Sequence, residues 1–138
     1  MARILAIDYG KKRTGIAVTD PLQIIASGLT TVETINNLVF LKNYIKKEEV
    51  ETIVVGYPFK MENTKTADSL PLIDGFIKKL KKSFPNIPIV KEDEHFTSKM
   101  AVQAMIEGGV KKMKRRDKAL VDKISASLIL KSYLERIK

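Results

Sequence analysis

Asp8-Tyr9-Gly10-Lys11-Lys12-Arg13 brings a carboxylate, a glycine and three cations together between two apolar runs, Ile4 to Ile7 and Ile16 to Val18. An acid at a strand end beside a cationic turn suits a metal ion and a phosphate. Carboxylate oxygens hold hard cations, and an arginine forks onto two phosphate oxygens. Two further sets of acids stand out. Glu92-Asp93-Glu94 follows the apolar run Ile87-Pro88-Ile89-Val90, and Asp117 and Asp122 lie near the start of an apolar-rich final stretch. Three converging carboxylates repel one another unless a divalent cation neutralises them, and oxygen-only ligands select Mg²⁺ or Mn²⁺. Two such ions about 4 Å apart activate a water and stabilise the leaving oxygen in phosphodiester cleavage. With Lys12 and Arg13 on the phosphate, the set would make a site for nucleic-acid hydrolysis.

Each group also has a plainer role. Asp8 can bond the amides of its own turn, and Lys11, Lys12 and Arg13 can form a solvated hairpin tip. Acids 92–94 can simply favour the start of the next helix, Asp122 can pair with Lys118 or Lys123, and Asp117 suits a helix cap. His95, the single histidine, fits a packing or hydrogen-bonding role. The catalytic reading gains from where the backbone puts the acids.

The apolar runs around Gly10 read as a β-hairpin, with strands ending near Asp8 and covering residues 14–19. Residues 24–32 supply a third strand, completing an antiparallel meander. Residues 36–47 carry Leu38, Leu41 and Ile45 at helical spacing, with Thr34 or Asn36 as cap. Residues 51–56 are a short strand of the kind buried on both faces, ended by Tyr57-Pro58. After a polar stretch, a helix over 65–82 has the stripe Leu72, Phe76 and Leu80, flanked by Ile73 and Ile77. Pro71 kinks it or marks a later start. Residues 87–91 are a strand, its start only partly paired because of Pro88. A helix over 99–106, capped by Thr97 or Ser98, stops at Gly108-Gly109. Residues 110–118 read as a mobile basic loop, and a long helix runs to 137 with Leu120, Ile124, Leu128 and Leu134 on its buried side.

The order β-β-β-α-β-α-β-α-α implies an α/β fold. It combines an antiparallel meander with two parallel strands in a mixed five-stranded sheet, helices on both faces. The first strand should sit beside the strand at Ile53. Ligands of such sheets bind outside the carboxyl ends of the parallel strands. Those ends fall at Asp8, at Gly56-Tyr57-Pro58 and at the acids 92–94. Ser125, Ala126 and Ser127 are small enough to let the last helix approach the sheet, which would aim Asp122 inward.

The 138 residues suit one domain, 1–138, with 44% hydrophobic residues to build a core. There is no cysteine, and no apolar run reaches the length of a membrane span. The expectation is a soluble cytoplasmic protein. Lys plus Arg number 25 against 16 acids, a net charge of +9 that attracts a polyanion, nucleic acid first.

Four stretches resemble the YqgF family of Holliday-junction-resolvase-like, pre-16S rRNA nuclease proteins. They are Asp8 to Ala17, Val54-Val55-Gly56-Tyr57-Pro58 with Met61, Asp93 to Ser98, and Asp122 with Ser125 to Leu130. In order, they span nearly the whole chain. The resemblance implies an RNase H-like fold and an acidic triad of Asp8, Glu94 and Asp122 for divalent metal. It also implies a cytoplasmic nuclease that matures the 5′ end of 16S rRNA. Two positions depart from the family pattern: His95 stands where Arg is usual, and Glu62-Asn63 where Asp-Gly is usual.

Precursor 16S rRNA is therefore the favoured substrate, with branched DNA as the alternative. Aromatic residues make up 7% of the chain and form no evident stacking platform, so the sequence reads neither RNA nor DNA. Monomer and homodimer both remain open, since cutting a junction on two strands needs two sites. Two other classes are an ATP-binding phosphotransferase, whose fold usually needs a second domain, and a non-catalytic RNA-binding module.

Overall fold

The computed structural model describes residues 2–59, 69–94, 97–109 and 117–137, with the side chains of residues 69 and 97–99 excluded. Strand β1 (Arg3–Tyr9) sets the layering, because alternate side chains leave a strand on opposite faces. Leu5 and Ile7 enter one core, and Ile4 and Ala6 enter the other. β2 (Arg13–Thr19) and β3 (Ala26–Glu33) complete the antiparallel meander. β4 (Val50–Tyr57) lies parallel to β1, and β5 (Ile89–Asp93) lies parallel to β4. The sheet order is β3-β2-β1-β4-β5, so the expected mixed sheet and the pairing of β1 with the Ile53 strand are both present.

Helices α1 (Asn37–Lys47) and α2 (Ser69–Ser83) cover the first face. Leu41, Ile73, Phe76, Ile77 and Leu80 pack there against Leu5, Ile7, Ile53 and Val55. The second face is covered by α4 (Lys118–Ile137), whose Ala126, Ile129, Leu130 and Leu134 meet Ile4, Ala6, Ala17 and Val54. Helix α3 (Thr97–Glu107) packs on α4 and buries Ala101 and Met105. Among the described residues, no helix is long and apolar enough to cross a membrane.

Several local expectations change. On α4, Leu120, Ile124 and Leu128 are only half-buried, and the buried stripe is Ser125, Ala126, Ile129, Leu130 and Leu134. Near the contact with Gly15 the buried positions are small, Ser125 and Ala126, and further along the helix they are Ile129, Leu130 and Leu134. Leu72 of α2 is 42% exposed, leaving Ile73, Phe76, Ile77 and Leu80 as the packed face. Helix α2 begins late enough to put Pro71 in its first turn, where a missing N–H costs nothing. Ile24 and Ile25 precede β3 and are exposed. Their N–H groups donate to the Asp20 carboxylate at 2.8 and 2.7 Å, which satisfies them in a loop.

Neither Thr34 nor Asn36 caps α1 through its side chain; a 3-10 turn, Thr34–Asn36, leads into the helix instead. Asp117 does cap α4, accepting the N–H of Ala119 at 3.0 Å. Gly109, at φ 76°, follows the end of α3. The expectations for residues 60–68, for the Thr97 or Ser98 cap and for the basic stretch 110–116 lie outside the described residues.

Candidate functional site

Alternation along β1 carries Asp8 to the same side as Ile4 and Ala6, beneath α4. Its neighbour across the hairpin is Gly15. On the other side, β1 and β4 are registered as far as Ile7 with Val55, so Gly56 follows beside Asp8. Glycine thus flanks the acid on both sides. A Cβ on Gly15 would lie 2.1 Å from the main-chain oxygen of Asp122, and one on Gly56 would lie 2.5 Å from Ile129 Cδ1. The two glycines let α4 settle onto the sheet at this edge, a close approach that glycine in a strand often marks.

The other acids arrive from either end of that row. Asp122 presses its backbone onto Gly15, and the Cβ of Glu94 lies 3.5 Å from where a Cβ on Gly56 would be. Glu94 is one residue past β5, and its N–H donates to the Tyr57 carbonyl at 2.9 Å, tying the ends of β4 and β5 together. Asp8 and Glu94 are 7% and 3% exposed. Asp8 and Glu94 thus lie on the α4 side of one sheet edge, with the backbone of Asp122 packed at Gly15 beside Asp8. Among the described residues, however, no three acids come together as a group that could hold a metal ion.

Glu92 and Asp93 separate from Glu94 by their contacts. Glu92 is buried within β5 and accepts Arg136 Nε at 2.8 Å and Ser132 Oγ at 2.9 Å, so it fastens the strand to α4. Asp93 is exposed. His95 and residues 62–63, the departures from the family pattern, lie outside the described residues.

The cations of the hairpin also separate. Lys11 and Lys12 are exposed. Arg13 reaches Asp122, Nε to Oδ2 at 2.8 Å, where Asp122 was expected to pair, if at all, with Lys118 or Lys123. The turn itself is braced from α1. Asn37 Nδ2 donates to Thr14 Oγ1 at 3.2 Å, Thr14 and Thr34 hydroxyls lie 3.0 Å apart, and Thr34 donates to the Gly10 carbonyl at 2.6 Å. With each hydroxyl accepting from one neighbour and donating to the next, the chain runs in one direction and holds the loop to the helix. Thr34 N–H also donates to the Lys12 carbonyl at 2.9 Å.

The opposite face of the edge differs in character. Tyr9 stacks on Phe76 at 4.8 Å and borders a groove of about 370 Å³ with Ile35, Leu38, Leu72 and Lys79. None of the expected site residues lines it. Tyr57 donates to Asp74 Oδ1 at 2.9 Å; burial pushes its phenol up, and the Asp74 carboxylate adds to the rise.

Asp8, Glu94, Asp122, Lys12 and Arg13 were all named from the sequence. Gly15, Gly56 and the Glu92 anchor were not. A glycine inside an apolar strand was the available signal for the first two. The Arg13–Asp122 contact, across 109 positions, had none.

A sheet of this order, with helices on both faces, is the RNase H-like fold. The Thermus thermophilus RuvC structure in complex with a Holliday junction substrate superposes with a TM-score of 0.57 at 16% identity, over 99% of this chain and 96% of that one. A second structure of T. thermophilus RuvC matches with a TM-score of 0.55 at 17% identity, over 97% and 96%. The family model RuvX, described as Holliday junction resolvase, matches residues 2–136, and the chain belongs to this family, also called YqgF. A protein of Christiangramia forsetii named "Putative pre-16S rRNA nuclease" is 58% identical over 97% of this chain and 98% of its own length. One of Phocaeicola vulgatus with the same name is 56% identical over 98% and 96%. The family is thus one of nucleases acting on phosphodiester bonds.

Proposed function

We propose that the chain is a divalent-metal-dependent nuclease that acts in maturing the 5′ end of 16S rRNA in the cytoplasm. The observation that carries this reading is that Asp8 and Glu94 are buried on the α4 side of one sheet edge, where α4 brings Asp122 against Gly15. Buried carboxylates are held with partners or cations, and an all-oxygen donor set fits Mg²⁺ or Mn²⁺. Asp8, Glu94 and Asp122 would hold the metal. Once bound, it would supply Lewis-acid activation of water and stabilise the leaving oxygen of a phosphodiester.

The chain's own groups do the rest. Gly15 and Gly56 keep the edge narrow, and main-chain packing on Gly15 holds the start of α4, with Asp122, at the edge that carries Asp8. Lys12, exposed on the braced turn, attracts the phosphate backbone, and the net charge of +9 steers nucleic acid toward the protein. The names of the close relatives support precursor 16S rRNA as substrate. The description of the family model favours a second substrate, the four-way DNA junction.

The experiment is side-by-side cleavage of purified precursor 16S rRNA and a four-way DNA junction, with Mg²⁺ or Mn²⁺ and an Asp8→Asn control. Cleavage of the precursor near the mature 5′ end, lost in the control, is the expected result. Cleavage of the junction alone would transfer the function to DNA, and activity retained in Asp8→Asn would refute the site.

A further inference from the structure

Arg13 opens β2, and Asp122 lies near the start of α4. Their contact, Nε to Oδ2 at 2.8 Å, joins two side chains that are 37% and 21% exposed. Both ends are held in place by backbone. Asp122 is pressed onto Gly15, two residues along β2 from Arg13, and the Asn37–Thr14–Thr34–Gly10 chain braces the turn. The guanidinium therefore meets this carboxylate by construction of the fold.

A guanidinium on a carboxylate oxygen does the electrostatic work of a bound cation: it neutralises the charge and occupies a lone pair. A metal ion arriving at that oxygen has to displace or share it. Among the described residues, no three acids or histidines form a group that could hold a cation, so an ion would have to draw the Asp122 carboxylate toward Asp8 and Glu94. We propose that Arg13 is a placeholder cation that occupies Asp122 until a divalent ion takes the carboxylate, and so sets how tightly the ion binds. This rests on the metal-dependent reading above. It makes Arg13 a positioning residue acting through Asp122. The pair is partly open to solvent, so it is weak enough to exchange and lowers ion affinity without preventing binding.

The test is calorimetric titration with Mn²⁺, without nucleic acid. It uses the unmodified chain, Arg13→Ala, Arg13→Gln, Asp122→Asn, and Arg13→Ala combined with Asp122→Asn. Arg13→Gln keeps most of the side-chain stem, guarding against a folding defect in the alanine variant. Arg13→Ala and Arg13→Gln should bind Mn²⁺ about three- to tenfold more tightly, and the gain should vanish in the Asp122→Asn background. Unchanged or weaker affinity in both Arg13 variants, with Asp122→Asn still impaired, would overturn the placeholder and leave the metal reading standing. A gain that persists in Asp122→Asn would overturn it too, since Arg13 would then act only as a general positive charge. Failure of the unmodified chain to bind Mn²⁺, or full affinity in Asp122→Asn, would remove the metal reading and this inference together.

Discussion

A Cβ on Gly15 would sit 2.1 Å from the carbonyl oxygen of Asp122 and 2.5 Å from its carbonyl carbon. Strand β2 and helix α4 therefore touch through main chain at the point where the helix delivers its acid. Because backbone cannot rotate away as a side-chain end can, Gly15→Ala should destabilise the fold by about 1–3 kcal/mol and displace Asp122. Gly56→Ala meets the mobile end of Ile129 and should cost less. Gly75, within α2, has open space where a Cβ would sit, and Gly75→Ala should stabilise by about 0.4–1 kcal/mol. Urea unfolding of the three variants checks this order; a Gly15→Ala chain as stable as the original would show that the helix can shift freely.

Asp8→Asn, Glu94→Gln and Asp122→Asn should each abolish divalent-dependent cleavage with little loss of nucleic-acid affinity, because the amides keep the shape and lose the charge that holds a cation. Activity and filter-binding assays on the same preparations separate the two effects. Full activity in two of the three would refute the triad.

Lys12 and Arg13 should differ in the metal-free chain. Lys12 is exposed, so Lys12→Ala should weaken nucleic-acid binding and lower the salt-dependence slope by about 1. Arg13 is engaged with Asp122, so Arg13→Ala should lower the slope by less. Binding titrations across a salt series decide it, and equal slope changes would mean that Arg13 leaves Asp122 readily for phosphate.

Asp20 links acid to the loop before β3. The N–H of Ile25 chiefly, with those of Ile24 and Leu22, holds its carboxyl below the usual 3.8 against an opposing desolvation effect. A lowered folded value means that its stabilising contribution is complete above the unfolded value and is lost as pH falls through the folded one. Asp20→Ala should therefore be less stable than the original at neutral pH, with the gap closing in strong acid. Denaturant midpoints at the two conditions test this, and a gap independent of pH would refute it.

The sequence by itself determined the strands, the order of elements and the position of Asp8 at a strand end, because those follow from local periodicity and turn chemistry. It also determined that Asp117 caps a helix, a matter of hydrogen bonds a few residues apart. Local periodicity could not choose between Glu92 and Glu94, two residues apart and on one face of the chain; the family motif pointed to Glu94. Tertiary structure distinguishes their surroundings, because Arg136 and Ser132 of α4 engage Glu92. It also decided the rotation of α4. Helical spacing suggested Leu120, Ile124, Leu128 and Leu134 as its buried side. Of these Leu134 is buried, together with Ser125, Ala126, Ile129 and Leu130, because the helix sets its backbone at Asp122 on Gly15 and its Ile129 on Gly56. The pairing of Arg13 with Asp122 was decided in the same way: it depends on the distance between a hairpin and a helix at opposite ends of the chain, and only the packed sheet sets that distance.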